Sequence, residues 1–168
     1  MHCSSCCHRF AVRCLLYNTQ LLPLADAETL MQPAEIDSTE VTISVEACTV
    51  DIANFASFAS RCYCHNGACT VPGPTLVIRP GSTLTVTFVN GLGSYPDQSH
   101  TMNTMLSPNT VNLHTHGLHV DPAVDSIFVE VEPGESHTYA YEIPEAHAAG
   151  FHWYHSHLHG SSTFQARR

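Results

Sequence analysis

Residues 82–91, STLTVTFVNG, decide the fold class, because polar and apolar side chains alternate from Thr83 to Phe88. Leu84, Val86 and Phe88 fall on one face of an extended strand, and the threonines between them fall on the other. This alternation is typical of a strand with one buried face and one face toward solvent. Asn90 and Gly91 then supply a turn signal that ends the strand.

The same pattern recurs along the chain. Residues 41–47 (VTISVEA) place Val41, Ile43 and Val45 on one face. No stretch has a strong 3.6-residue period, and residues 144–150 (PEAHAAG) allow at most one short helical turn. Seven or so short strands without helices predict an all-β, Greek-key β-sandwich. The other predicted strands lie within 71–81 (VPGPTLVIRPG), 110–117 (TVNLHTHG), 126–135 (SIFVEVEPGE), 136–144 (SHTYAYEIP) and 151–158 (FHWYHSHL).

The chain is expected to hold one domain and an extension. Residues 1–38 show no sustained periodicity and are predicted to be a poorly ordered, cysteine-containing extension, whereas residues 39–168 form the domain. Residues 91–109 read as a long polar loop. A formal net charge of −9 with only six lysines and arginines argues against nucleic-acid binding. No apolar run approaches the roughly 20 residues that span a bilayer.

The eight cysteines form two groups and one isolated residue. Four lie in the first 14 residues, and Cys62, Cys64 and Cys69 cluster in RCYCHNGAC (61–69), with Cys48 apart. The spacing of this cluster fits no standard zinc motif, so disulfides or free thiols are favoured over a metal site. The N-terminal apolar stretch, FAVRCLLYNTQLLPLA (10–25), is broken by Arg13 and does not make a convincing signal peptide.

Thirteen histidines are many for 168 residues, and neutral imidazole is the commonest metal ligand. Two H-x-H pairs stand out: His114 with His116, and His155 with His157. Residues two apart on a strand share a face, so the two histidines of each pair lie on the same face. Trp153, two residues before His155, shares the face of the second pair. The Cα atoms of each pair lie about 6–7 Å apart, since a strand rises ~3.3 Å per residue. Four imidazoles at this spacing suit one ion, or two close together, of copper or zinc.

The two other histidines of FHWYHSHLHG (151–160) are expected to lie apart from these pairs. His152 takes the opposite face of the strand. His159 follows the second pair and precedes a glycine, so it is predicted to be a neighbour rather than a ligand.

Three segments together resemble the N-terminal, plastocyanin-like (cupredoxin) domain of the multicopper oxidases, the laccase-like enzymes. They are VPGPTLVIRPGSTLTVTFVNGL (71–92), NLHTHGLHV (112–120) and VEPGESHTYAYEIPEAHAAGFHWYHSHLHG (131–160), and the resemblance covers roughly residues 40–165. The combination of H-x-H-G with W-[YFW]-H-x-H, and P-G-E-x-x-x-Y between them, is highly specific.

The resemblance implies a role for each of these histidines. His114 would be the ligand of a type 2 copper, and His116, His155 and His157 would bind the type 3 copper pair. Many members carry an acid nine residues after the second histidine of H-x-H-G, where it helps to deliver protons to the reduced oxygen. Asp125 stands at that spacing, and a solvated loop carboxylate is the alternative interpretation.

The resemblance also implies that parts are missing. The family's trinuclear cluster uses eight histidines between the first and last cupredoxin domains, and this chain offers four. The last domain carries a type 1 copper bound by a cysteine and two histidines, but no cysteine follows Cys69. Family members continue past HGS into a further strand, so residues 161–168 (SSTFQARR) predict a C-terminally truncated domain that lacks its last strand or strands.

These implications together predict the function. The chain would be a copper-binding domain that contributes half of a cluster reducing O₂ to water while an unidentified reducing substrate is oxidised. It would need a missing C-terminal cupredoxin domain or a second chain, and it would be inactive alone. Two other interpretations stay open: a non-catalytic copper- or zinc-binding module, and a non-functional truncated fragment. The cysteines and the family favour the extracellular space or the secretory pathway.

Overall fold

The computed structural model describes residues 32–52, 55–95 and 106–166. Most of the predicted extension, up to residue 31, and residues 96–105 of the predicted polar loop lie outside these ranges. The domain boundary at residue 39 stays a prediction. The described elements, in chain order, are β1 (Glu35–Ile36), β2 (Glu40–Ile52), β3 (Ala56–His65), β4 (Ala68–Thr70), β5 (Thr75–Leu76), β6 (Thr83–Asn90), β7 (His114–His116), β8 (Ser136–Glu142), β9 (Trp153–His155) and α1 (Ser161–Ala166).

The strands form three sheets, which confirms the all-β, cupredoxin-like prediction. The larger sheet has five strands in the order β4-β3-β2-β6-β8. Within it β2 and β6 run parallel and the other neighbours run antiparallel. The two smaller sheets are the parallel pair β1-β5 and the antiparallel pair β7-β9.

The core lies where the alternation of β2 and β6 places it. Val41, Ile43 and Val45 of β2 are buried, and so are the alternating apolar residues of β6. Burying each such side chain contributes roughly 1.5–3 kcal/mol to folding. These residues therefore stabilise the packing of the larger sheet in the hydrophobic core. The same core includes residues next to the first histidine pair, on β8 or beside these segments: Val111, Leu113, Val131, Tyr139, Tyr141 and Ile143.

Several predicted strands are shorter than the sequence pattern indicates, and residues 126–135 form none of the described strands. Val131 makes a single bridge to Val111, with two backbone hydrogen bonds of 2.9 and 3.1 Å. Turns around Ser126 and Gly134 interrupt further pairing. The side chain of Phe128 is consequently 84% exposed, although its position in the pattern suggested a sheet residue.

The short helix α1 was not predicted, because six residues are too few to display a helical period. It follows Gly160, whose φ of +96° favours glycine. The Tyr63 hydroxyl donates to Gln165 Oε1 over 2.7 Å, and the Arg61 guanidinium lies 4.2 Å from the centre of the Phe164 ring. No helix in the described ranges is long and apolar enough to cross a bilayer.

Two disulfides lie on the outer face of the larger sheet. Cys48 pairs with Cys62, and Cys64 pairs with Cys69. For the cluster Cys62, Cys64 and Cys69 the sequence left disulfides or free thiols open, and the structure shows disulfides. The four cysteines of the first 14 residues lie outside the described ranges.

The two smaller sheets do not close over the core. A groove of about 510 Å³ lies between β5 and β9, and α1 contributes to its wall. Core residues Tyr63 and Leu84 line it, together with Thr115 and His155. The groove therefore extends from the core to the region of the histidine pairs.

Candidate metal centre

The two H-x-H segments are brought together by the pairing of β7 with β9. In this antiparallel ladder His114 stands opposite His155, and His116 stands opposite Trp153. Side chains directly opposite on paired strands share a face and have Cβ atoms only about 4.5–5.5 Å apart. The ladder thus converts two distant sequence motifs into one cluster, called here the four-histidine site: His114, His116, His155 and His157.

Three of the four imidazoles converge closely, and the fourth lies beside them. The ligand nitrogens of His114, His116 and His155 all lie within 4.8 Å of one another. His157 lies beyond the end of β9, yet its ring centre is 5.1 Å from that of His114 and 5.8 Å from that of His155. The structure therefore brings together all four histidines that the sequence predicts.

His155 is oriented as metal-binding histidines commonly are. Its Nδ1–H donates to the Ser156 carbonyl oxygen over 2.7 Å, which leaves Nε2 as the atom with a free lone pair. Nε2 is buried and has no hydrogen-bond partner among the described residues. An unpartnered polar atom is costly in a protein interior, and a bound cation would satisfy it. This donor set fits copper or zinc.

Asp125 is buried beside the site, which excludes a solvated loop carboxylate. Its side chain is 8% exposed. Oδ1 accepts a hydrogen bond of 2.9 Å from the Thr115 backbone N–H, and Oδ2 lies 2.9 Å from His114 Nδ1, without the alignment of a hydrogen bond. The carboxylate is therefore fixed to the backbone of β7 and faces the imidazole of His114.

Asn112 connects the two histidine segments, and sequence reasoning assigned it no role. Its Oδ1 accepts a hydrogen bond of 2.7 Å from the His157 backbone N–H, and its Nδ2 donates to the Ile127 carbonyl over 3.0 Å. Ser156 Oγ lies 3.3 Å from the same Oδ1 and also accepts from the Asn112 backbone N–H. Asn112 is fully buried, so these bonds replace the water that its amide would otherwise need. The sequence offered one signal for this role: Asn112 lies two residues before His114 and so shares its face of an extended strand.

Two tyrosines of β8 hold the start of β7 against the larger sheet. The Leu113 N–H donates to the Tyr139 hydroxyl over 3.1 Å, and the Tyr141 hydroxyl approaches the Leu113 carbonyl at 3.5 Å. The rings stack with centres 5.6 Å apart. Burial, and secondly the charge of Asp125, raise the pKa of Tyr141 far above its ordinary value, so its hydroxyl stays protonated. The backbone next to His114 is therefore anchored in the core.

The face that carries the histidines is only partly inward. His155 is buried, whereas His116 and His157 are exposed and Trp153 is 42% exposed. Trp153 stacks on His155 at 4.2 Å and on His116 at 4.8 Å between ring centres, so it shields one side of both imidazoles. Sharing a face therefore does not mean equal burial, because β9 ends at His155 and His157 lies beyond the ladder.

His152, which was expected to lie apart from the two pairs, does so. His152 packs on the opposite side, where a Cβ on Gly117 would lie 2.9 Å from its Nδ1. Gly117 also has a φ of +97°, which explains the glycine after the first H-x-H. His152 neighbours His147 at 5.3 Å between ring centres. His159 is exposed.

A dependence of stability on pH follows from the position of His155. Burial, and to a lesser extent the neighbouring imidazoles, lower its pKa, although the Ser156 carbonyl partly opposes this. A lowered pKa means that the unfolded chain takes up protons more readily. The contribution of His155 to the stability of the metal-free chain should therefore be complete above about pH 6.5 and be lost as the pH falls through its folded pKa.

Thermal unfolding of the metal-free chain at several pH values checks this expectation. The His155→Gln variant should show a shallower fall in melting temperature below pH ~6.5 than the unsubstituted chain. The His137→Gln variant, which changes an exposed histidine of β8, should retain the full slope. Equal slopes for all three chains would contradict the assignment.

The sequence and the fold have known relatives. Residues 49–167 match the family profile described as Multicopper oxidase. This range contains all four histidines of the site and Asp125. No curated protein sequence is significantly similar to the chain.

Solved structures of such oxidases share the fold. McoA from the hyperthermophile Aquifex aeolicus has a TM-score of 0.62 and 22% identity, over 82% of this chain and 27% of that one. The laccase-like multi-copper oxidase CueO from the lignin-degrading bacterium Ochrobactrum sp. has a TM-score of 0.59 and 26% identity, over 80% and 26%. A multicopper oxidase from Campylobacter jejuni has a TM-score of 0.54 and 22% identity, over 79% of this chain and 27% of that one. The chain spans about a quarter of the length of these proteins.

Proposed function

The chain belongs to the multicopper oxidase family, since the family profile matches more than half of its residues, and we propose that it is the copper-binding N-terminal domain of such an oxidase. His114 would hold a type 2 copper, and His116, His155 and His157 would hold type 3 copper. Copper bound there supplies the redox chemistry with which multicopper oxidases reduce O₂ at the expense of a reducing substrate. The buried, unpartnered Nε2 of His155 among three ligand nitrogens within 4.8 Å of one another is the observation that carries this proposal.

The chain's own residues prepare the ligands for this role. Ser156 holds the tautomer of His155 that leaves Nε2 free, and the lowered pKa keeps that imidazole neutral near pH 7. Asn112 holds the His157 backbone, and the tyrosines of β8 hold the backbone before His114. Only neutral imidazoles bind a metal, so this arrangement reduces the proton competition that a metal would otherwise face.

The site provides half of the ligands that the family's cluster needs. The chain contributes four histidines, and no cysteine follows Cys69 to form a type 1 site. We therefore propose that a further cupredoxin domain or a second chain completes the cluster. His116 and His157 are exposed, as residues that meet a partner would be.

Copper loading of the purified 168-residue chain tests this function. The chain should bind copper with a paramagnetic resonance spectrum of nitrogen ligation and should consume no O₂ with a phenolic reductant. Close to three coppers per assembled pair of chains would indicate a shared cluster, and at most one per chain a simple site. Sustained O₂ consumption by the loaded monomer would overturn the proposal of an incomplete centre.

A non-catalytic copper- or zinc-binding module is the second candidate, because the convergent nitrogens of His114, His116 and His155 could hold one ion without a partner. Such a module would bind one Zn²⁺ or one Cu²⁺ per chain, and its oligomeric state would not change on binding. A non-functional fragment would instead show no cooperative unfolding transition. Copper stoichiometry and thermal unfolding therefore separate the three possibilities.

Asp125 is proposed to position His114 and to serve as a proton relay in a complete enzyme. The Asp125→Asn variant keeps an oxygen that can accept from the Thr115 N–H but removes the negative charge beside His114. We expect its copper affinity to fall by about 10-fold, as for other groups that orient a ligand. The Asp121→Asn variant, at an exposed carboxylate in the same turn, is the control for isothermal titration. A copper affinity of Asp125→Asn equal to that of the control would show that Asp125 does not position His114 for metal binding.

The two disulfides agree with a secreted or periplasmic protein, because disulfides persist in oxidising compartments. We propose such a location for this chain.

A further inference from the structure

A second group of metal-ligating side chains lies on the outer face of the larger sheet. It consists of Glu46 on β2, Cys64 on β3 and Cys69 on β4, whose ligand atoms all lie within 4.8 Å of one another. Cys64 and Cys69 stand directly opposite in the β3–β4 ladder and form a disulfide. The proposed function of the four-histidine site makes no use of this group.

The carboxylate of Glu46 is held against the disulfide. Ser44 Oγ donates to Glu46 Oε1 over 2.8 Å. The stem of Glu46 lies over Gly91, where a Cβ would come within 2.9 Å of Glu46 Cγ. No salt bridge between described residues involves Glu46, so ion pairing does not explain its placement.

We propose that Glu46, Cys64 and Cys69 form a redox-dependent site for a soft or borderline cation, Zn²⁺ or Cu⁺. In the disulfide both sulfurs are bonded to each other and offer no thiolate. After reduction, the two thiols lose two protons and bind the cation as thiolates, and the Glu46 carboxylate is the third ligand. Two thiolates and a carboxylate are donors that zinc accepts, and thiolates also select Cu⁺.

The reductant is an external thiol, and the exposure of the two cysteine residues decides which of them it attacks. Cys69 is exposed, whereas Cys64 is 3% exposed. The external thiolate attacks the Cys69 sulfur, the S–S bond breaks, and Cys64 leaves as a thiolate. A second external thiolate then attacks the mixed disulfide, which releases Cys69 as a thiolate and forms the external disulfide. The chain gains two electrons and the two external thiols are oxidised.

The sheet keeps the donors assembled after reduction. The β3–β4 ladder holds Cys64 opposite Cys69, and the β2–β3 ladder places Glu46 opposite Cys62, two residues from Cys64 on the same face of β3. The sulfurs need to separate only to roughly 3.7 Å, the edge of a tetrahedron with Zn–S bonds of ~2.3 Å. Glu46 and Cys69 are exposed, so water can fill the fourth position and the cation can exchange.

The second disulfide is an internal control. Cys48 and Cys62 lie on the same face of the sheet, but within the described ranges they belong to no group of three convergent donors. Reduction of that pair should not create a comparable site.

Cobalt binding tests the proposal, because Co²⁺ bound by thiolates absorbs in the near ultraviolet and Co²⁺ at the four-histidine site does not. The parent is the full chain with Cys3, Cys6, Cys7 and Cys14 changed to serine, reduced with a phosphine under argon. It should show the thiolate-to-cobalt absorption with one equivalent of Co²⁺ only after reduction. The Cys64→Ser/Cys69→Ser variant should lose the absorption, and Cys48→Ser/Cys62→Ser should keep it. The proposal would be overturned if Cys64→Ser/Cys69→Ser kept the absorption and Cys48→Ser/Cys62→Ser lost it, or if the parent absorbed before reduction.

The role of Glu46 is tested in the same assay. The Glu46→Gln variant should bind Co²⁺ at least about 10-fold more weakly than the parent, because a charged ligand becomes a neutral one. The Glu40→Gln variant changes another exposed glutamate on the same face of β2 and should bind as the parent does. Equal affinities in all three chains would exclude Glu46 from the site.

Alkylation of the reduced parent provides a readout that does not depend on the disulfide variants folding. Iodoacetamide labelling is followed at each cysteine by mass spectrometry, with and without Zn²⁺. Zn²⁺ should slow labelling of Cys64 and Cys69 at least about 10-fold and leave Cys48 unchanged. Labelling of Cys69 at the same rate with and without Zn²⁺ would contradict a site there.

Discussion

Replacing His155 with alanine is expected to weaken copper binding at the four-histidine site by roughly 100-fold or more, beyond the range seen when only supporting residues are lost. His155 is the buried member of the site, and its Nε2 is the donor atom that no other described group satisfies. Its loss also leaves Trp153 without the ring on which it stacks at 4.2 Å. The remaining three imidazoles would then bind copper in a more exposed and less constrained arrangement.

Isothermal titration with Cu²⁺ and the paramagnetic resonance spectrum measure this effect. The His137→Ala variant is a matched control, because His137 is exposed on β8 and packs against Tyr139 rather than against the site. It should bind copper as the unsubstituted chain does. An affinity for His155→Ala within twofold of the control would show that the four histidines do not act as one centre.

The Asn112→Ala variant is expected to lose about 2–4 kcal/mol of unfolding free energy. The substitution leaves the part-buried His157 N–H and Ile127 carbonyl without their partner, and a fully buried unsatisfied group would cost roughly 1–3 kcal/mol. It also removes the side chain that fixes His157 relative to β7. Copper affinity should therefore fall together with stability, although Asn112 binds no metal itself.

Denaturant unfolding of the metal-free chain measures the stability change. The Thr138→Ala variant, at an exposed position of β8, should change the unfolding free energy by less than about 0.5 kcal/mol. If Asn112→Ala were as stable as Thr138→Ala, the hydrogen bonds of the Asn112 side chain would not stabilise the segments that carry the histidines.

Local patterns account for what could be predicted of the site. A period of two residues places His114 and His116 on one face of a strand, and His155 with Trp153 on one face of another. The same period identified the buried faces of β2 and β6, because alternation is a property of neighbouring residues. The choice of copper came from the resemblance of the motifs to a family, and the family profile supports it.

Other features depend on residues that are far apart in the chain. The spacing from His116 to Asp125 suggested a role, but only the fold shows that the carboxylate is buried and attached to the Thr115 N–H. The amide of Asn112 reaches the His157 backbone across 45 positions of sequence, and no local pattern records such a bond. The tyrosines of β8 could be predicted to be buried, but not to bond the Leu113 backbone.

Spacing along single segments predicted that the domain is built of strands, which faces of β2 and β6 are buried, and which four histidines are proposed as the metal centre. Tertiary structure alone decided the pairing of β7 with β9, the burial of Asp125 and the pairing of the cysteines. Cys48, Cys62, Cys64 and Cys69 allow three pairings, and the register of β2, β3 and β4 selects one. Register and burial are properties of the whole fold, since they depend on which segments the core brings into contact.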